Sequence, residues 1–384
     1  MKVYFDNAAT TRIHTKVFEK MLPYLKENFG NPSSFHSFGR KARVAIEDAR
    51  ETAADFIGAN PSEIFFTSGG TESINFALNG IAKTNSNESC KNHLITTTVE
   101  HKAVLEKHND LQNNGFDVNI LPVDSDSSIK ASSIESNLTE KTSLVSVIFT
   151  NNETGTINDI NNISQKLSKD DLYLFTDAVQ TFGKIKFEVN NFSIDSLSAS
   201  AHKIYGPKGV GLLFVKSGTP ISPLLYGGSQ ERDRRAGTEN VAGIVGFAEA
   251  IKIADEEMDD NYTNVSNIKN FFTENLLNHF SNKIEINGGD NTSPYILSVT
   301  FKSEIFNNDS EGMLMFLDIN GVSASQGSAC TSGILNPSHV ILRMGKTINN
   351  ANGTMRFSFS PQNTLEEVEY TLDVLAKMSK KFVK

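Results

Sequence analysis

The chain has 384 residues, 38% of them apolar, enough to bury a full core and to divide into two domains. A formal charge of −9 with no long Lys/Arg run argues against nucleic acid as a direct partner. Only Cys90 and Cys330 occur, too few for a disulfide framework, which fits a reducing compartment.

The segment Met1 to Asn7 reaches Asp6 before any apolar run, so neither a secretory signal nor an Arg-rich leader is expected. No stretch approaches about 18 consecutive apolar residues, the length a membrane span needs. The expected location is the cytoplasm, with no membrane partner. From about Thr15 helix and strand alternate: a helix over Lys41 to Ile57, a strand over Glu63 to Thr67, a helix from Glu72 and a strand over His93 to Thr97. Leu144 to Phe149, Leu172 to Thr176, Ile194 to Leu197 and Val210 to Val215 read as further buried strands, with helical segments beginning near Asp159. This pattern predicts a largely parallel α/β sheet. Thr84 to Asn92 and Asp124 to Ser133, rich in Asn, Ser and Asp, read as exposed connections. A long helix starting near Gly237 and running past Ala250 is expected to lead into a smaller C-terminal domain holding a strand over Ile296 to Phe301.

Three features follow predicted strands, where open parallel sheets bind ligands. Thr67-Ser68-Gly69-Gly70-Thr71-Glu72 is a strand–glycine loop–helix junction able to hold a phosphate. Asp177, with Gln180, places a carboxylate in the same crevice, and Ser200-Ala201-His202-Lys203 sets a lysine among small and polar neighbours. Singly these read as a tight turn, a helix cap and a solvated lysine. Together they supply the phosphate cradle, the carboxylate for a pyridine nitrogen and the amine that pyridoxal phosphate requires. No metal site is indicated.

The sequence also resembles the cysteine desulfurases of the class V aminotransferase group, among fold-type I pyridoxal-phosphate enzymes. The likeness is carried by Tyr4 to Thr11, Gly30 to Ser34, Thr67 to Glu72, Glu100-His101-Lys102, Asn151 to Gly155, Asp177 to Gln180, His202 to Gly209, Arg235 to Asn240 and Gly327 to Gly333. The resemblance implies an α/β fold: a large domain over residues 15–255 with a mostly parallel sheet flanked by helices, and a smaller α+β domain from residues 1–14 and 256–384. The latter would carry a nucleophile loop near 322–335. It further implies that Lys203 binds the cofactor covalently, Asp177 pairs with the pyridine nitrogen, Gln180 contacts the phenolic oxygen and His101 stacks on the ring. Gly70, Thr71, Ser200 and His202 would hold the phosphate, and Thr238 would reach that of a neighbouring subunit in a homodimer. Asn152 would touch cofactor and substrate, and Arg356 the substrate carboxylate, a task that suits a planar guanidinium.

Cys330 sits among Gly327, Ser328, Ala329, Thr331, Ser332 and Gly333, small residues that make a poor core and suggest a mobile loop. By the same resemblance it is the nucleophile that takes sulfur from L-cysteine as a persulfide, leaving L-alanine, with Lys203 and His101 moving protons. Cys90, in a polar connection, has no accompanying base. The Gly-Ser-Ala-Cys-Thr-Ser run looks like the extended-loop subtype, which passes sulfur to an acceptor protein for iron–sulfur cluster assembly or tRNA thiolation. Two departures stand out: Ala201 replaces a frequent glycine, and only a short helix is expected after Arg356. A class V aminotransferase or a selenocysteine lyase could share Lys203 and Asp177, and Cys330 is what separates them.

Overall fold

The computed structural model describes residues 1–167, 171–327 and 336–384. In chain order, β1 (Val3–Tyr4) leads to helices α1 (Thr15–Lys26) and α2 (Ser37–Ile57), β2 (Ile64–Thr67), α3 (Gly70–Ser89), β3 (His93–Thr97), α4 (Lys102–Asn113) and β4 (Asp117–Leu121). Next come α5 (Ala131–Glu135), β5 (Thr142–Ile148), α6 (Ile160–Lys166), β6 (Tyr173–Asp177), β7 (Ser196–Ser200), β8 (Gly211–Val215) and α7 (Val241–Phe280). The C-terminal part holds β9 (Ile284–Asn287), β10 (Ile296–Phe301), α8 (Ser310–Ile319), β11 (Val322–Ser323), α9 (His339–Arg343), α10 (Ile348–Asn352), β12 (Thr354–Ser358) and α11 (Leu365–Phe382).

Seven strands form one sheet in the order β2-β8-β7-β6-β5-β3-β4, and β8 alone runs against the others. Its reversal follows from chain length. Only residues 201–210 join β7 to β8, fewer than a parallel crossover needs. Strand β5 is buried along its whole length, as expected where helices cover both faces of a sheet. On one face, α2 supplies Ile46, Ala49, Ala53 and Ile57 at helical spacing to a core with Val145, Val147 and Leu197, and ends at Gly58 with φ +68°. On the other, Ile74, Leu78 and Ile81 of α3 meet Leu144, Phe175 and Leu213.

A three-stranded antiparallel sheet, β12-β10-β9, packs on the far half of α7 and on α11 in a separate core rich in Phe272, Phe301 and Phe357. Two segments expected as exposed connections are corrected in part. Helix α3 continues through Ser89, and there Thr84 Oγ1, Asn85 Nδ2 and Ser89 Oγ donate to carbonyls one turn back. Residues 124–133 contain a turn that buries Ser127 and the start of α5. The long helix begins at Val241, capped by the Asn240 side chain, and its 40 residues join the two cores. Among the described residues no helix is long and apolar enough to cross a membrane.

Candidate active site

All strands of the large sheet except β8 point the same way, so the segments following β2, β3, β5, β6 and β7 converge at one edge. There a cavity of about 220 Å³ is lined by Ala8, His101, Asn152, Asp177, Gln180, Lys203 and Arg356 among others. Chain segments distant in sequence close it. Residues 7–11 are stitched on one side to β12, where Asn7 Nδ2 donates to Ser358 O at 3.0 Å, and on the other to the turn after β7, where Thr11 N donates to His202 O at 2.9 Å.

Lys203 lies in a single 3₁₀ turn, Ala201–Lys203, directly after β7. Its Nζ donates to Ala8 O at 2.6 Å and Ala9 O at 2.8 Å. Burial, with repulsion from Arg356, pulls its pKa down to about 8, so a neutral amine is within reach near neutral pH. Asp177 ends β6, 4% exposed; its Oδ1 accepts from Val179 N at 3.0 Å and Ser198 Oγ at 3.2 Å. The bond to Val179 N is the local cap that the sequence allowed. It occupies one oxygen only, and the other takes no hydrogen bond among the described residues. His101 caps α4, its Nδ1 accepting from Ala103 N at 3.1 Å, so the neutral ring carries its proton on Nε2. Burial lowers its pKa, against the pull of Asp177.

Gln180 donates from Nε2 to Ala8 O at 2.9 Å. Arg356, on β12 and 4% exposed, pairs through Nη2 with Asp6 Oδ1 at 2.9 Å and donates from Nη1 to Asn152 O at 2.8 Å. Its Nε is buried with no hydrogen-bond partner among the described residues. The arginine is thus in an ion pair, but an interior one. His202 holds Thr10 Oγ1 at 3.1 Å, and burial lowers its pKa to about 4, so the ring is a neutral donor or acceptor.

The expected phosphate cradle is the N-terminus of α3. Its cap, Gly69, has no side chain to occupy the first amides of a 20-residue helix. A Cβ on Gly70 would meet Val179 Cγ2 at 2.9 Å and lie 3.8 Å from that of Ser200, so the cradle, the turn after β6 and the end of β7 meet at this glycine. These donors fit pyridoxal phosphate: uncapped amides for the phosphate, a buried carboxylate for the pyridine nitrogen, and a depressed-pKa lysine for the aldehyde. Gly70→Val is expected to weaken uptake of the cofactor about tenfold or more, since the added methyls must displace Val179 or the phosphate. Titration of cofactor into the apoprotein measures this, and wild-type affinity would remove Gly70 from the cradle.

Of the expected site residues that the structure describes, Gly70, Thr71, Ser200, His202 and Thr238 do not line this cavity. Thr238 is exposed in the segment before α7. Cys330 lies outside the described residues. Its flanks are described: Ser325 Oγ donates to Asp6 Oδ1 at 2.5 Å, a Cβ on Gly327 would meet Glu153 Oε2 at 2.7 Å, and Ser338 Oγ hydrogen-bonds the same Glu153 Oε2. Cys90, the exposed end of α3, is remote from the cavity lining. Sequence reasoning missed three groups here. Asp6 stood only as a letter in a matched motif. Glu100 was assigned only a turn, yet it is 1% exposed with its pKa pushed up to about 8 by burial, and its Oε2 has no partner among the described residues. Lys184 is the third; its one sequence signal is its place four residues after Gln180.

The aminotransferase class-V family matches residues 3–371 of this chain. A protein of Dictyoglomus turgidum named cysteine desulfurase IscS is 45% identical over 381 residues, covering 99% of this chain and 95% of that one. A Bacillus subtilis protein named putative cysteine desulfurase IscS 1 is 41% identical over 382 residues, covering 99% of each. Among solved structures, one titled NifS-like protein superposes with a TM-score of 0.90 at 39% identity over 99% of both chains. Another, titled SspA in complex with cysteine, gives 0.82 at 36% identity over 95% of this chain and all of that one. Matched nearly end to end, the chain belongs to the class-V aminotransferase family and, within it, to the cysteine desulfurases.

Proposed function

We propose that this protein converts L-cysteine to L-alanine with pyridoxal phosphate held in the cavity, loading the sulfur on Cys330 as a persulfide for transfer to an acceptor protein. The observation that carries the reading is the convergence of Lys203, Asp177, His101 and Arg356 on one buried cavity. A structural relative whose title places cysteine in its complex supports the substrate. Gly70, Thr71, Ser200 and His202 hold the phosphate, and Asp177 keeps the pyridine nitrogen protonated. Pyridoxal phosphate supplies, when bound, an electron sink that labilises bonds around the substrate Cα.

Arg356 and Asn152 orient the amino acid by its carboxylate. Lys203 Nζ, after tethering the cofactor, takes the Cα proton, and His101 Nε2 exchanges protons at the substrate side. The Cys330 thiolate attacks the substrate Sγ. An S–S bond forms, the Cβ–S bond breaks, and its electron pair stays with carbon, which takes a proton to end as alanine. Cysteine plus enzyme thiol equals alanine plus persulfide in atoms and electrons, so loading needs no outside oxidant; release as sulfide needs a thiol reductant.

Residues 15–255 form the cofactor domain in this reading, and residues 1–14 and 256–384 the smaller one. Phe29, Phe35 and Phe38 are 74%, 95% and 53% exposed, with the rings of Phe29 and Phe38 5.5 Å apart, an apolar face that favours a homodimer in which Thr238 reaches the second site. The acceptor is an iron–sulfur scaffold or a tRNA-thiolation relay, and the setting cytoplasmic. The test follows sulfide and alanine together from L-cysteine with cofactor and reductant. Equal release is expected; alanine without sulfide, or neither product, would overturn the assignment.

A further inference from the structure

The turn after β6 carries Gln180 and, four residues on, Lys184, which is 5% exposed. Lysine is rarely buried without a charged partner. Here Nζ meets no carboxylate: it donates to Gln180 Oε1 at 3.0 Å, its one hydrogen-bond acceptor among the described residues, and stands 5.6 Å over the ring of Tyr295. Burial, with repulsion from Lys203 and Arg356, pulls its pKa down to about 7. An apolar side chain of similar length would fill this space without desolvating a cation beside two others. The ammonium therefore serves its neighbour.

We propose that Lys184 is a positioning residue that fixes the carboxamide of Gln180 with its nitrogen facing the cofactor cavity. In its protonated form Lys184 can only donate, so it holds the oxygen end, Oε1. The nitrogen end meets Ala8 O at 2.9 Å. A flipped amide would set Oε1 against that carbonyl and its N–H groups against the ammonium, two repulsive contacts in place of two attractive ones. Nε2 has two protons and Ala8 O takes one. The second is the donor available to the phenolic oxygen of a bound cofactor, where it favours the ionised form. This inference rests on the reading of the cavity as a pyridoxal-phosphate site.

The test is the pH titration of the bound cofactor's visible chromophore in Lys184→Met, Gln180→Ala and the double variant. Each single change is expected to raise the midpoint by about one unit, as loss of a hydrogen bond to an ionised oxygen requires. The double variant is expected to move no further, because both remove the same donor. A wild-type midpoint in Lys184→Met, or fully additive shifts, would overturn the inference, additivity marking a plain loss of charge. If Lys184→Met does not fold, Lys184→Leu, which also lacks a donor, is titrated by the same criteria. A wild-type protein that takes up no pyridoxal phosphate at all would instead overturn the cofactor reading.

Discussion

Lys203→Ala is expected to abolish the covalently bound chromophore and to lower turnover of L-cysteine by more than about 10⁴-fold, since one side chain supplies both the tether and the base. The size of the effect follows from the site. Lys203 Nζ rests on two backbone carbonyls, Ala8 O and Ala9 O, and burial with repulsion from Arg356 pulls its pKa down to about 8 against the opposing pull of Asp177 and Asp6. Alanine takes a donor from Ala9 O, leaves Gln180 Nε2 on Ala8 O and creates no buried charge, so the fold is expected to survive. Absorbance of the purified variant and its rate of alanine formation make the measurement. A variant that kept more than a hundredth of wild-type turnover would assign the amine elsewhere, and the buried Lys184, with its pKa near 7, is the group to test next.

The positions that sequence could reach are those set by strand ends. Once β2, β3, β5, β6 and β7 are read as parallel strands, Gly70, His101, Asn152, Asp177 and Lys203 must gather at one edge, because each follows its strand by a few residues. Strand alternation and the helix beyond residue 237 were legible for the same local reason. What stayed hidden depends on contacts between distant segments. Asp6 and Arg356 are 350 residues apart and pair only because Asp6 bridges to β12 at Ser358. The bidentate Arg50–Glu231 pair, at 2.7 Å and 3.0 Å, joins α2 to a turn of left-handed residues, and no local pattern announces it. The polar tail of α3 looked like a loop because Ser, Thr and Asn favour turns. In the structure those side chains bond carbonyls of the preceding turn, within the helix.

Ala201, the departure at a frequent glycine, has its own physical account. It is fully buried, and a Cβ on Gly206 would meet its Cβ at 2.8 Å, so the turn that presents Lys203 accommodates the methyl by keeping glycine at 206. Lys203, at the end of the same turn, lines the cavity.

Cys330→Ser is expected to divide the reaction at sulfur transfer: the cofactor chromophore and its response to L-cysteine persist, while formation of persulfide, sulfide and alanine falls to background. A serine hydroxyl is too basic and too weakly nucleophilic toward sulfur to replace a thiolate. Arg356, Asn152, Lys203 and His101 are untouched by the change, so binding and removal of the Cα proton continue. The flanking residues connect this position to the site. Five residues before it, Ser325 donates to Asp6, which also holds Arg356; Gly327 and Ser338 both approach Glu153, the neighbour of Asn152. The described residues on either side of the thiol therefore leave and rejoin the wall formed by Asp6, Arg356 and Glu153. Rapid-scan absorbance with L-cysteine, alongside alanine and persulfide assays, separates the two halves. Alanine release at the wild-type rate would remove the thiol from the mechanism and favour a class V activity that does not break the C–S bond through an enzyme nucleophile. Loss of the spectral response itself would place Cys330 in substrate binding, a role that its small polar neighbours give no means to perform.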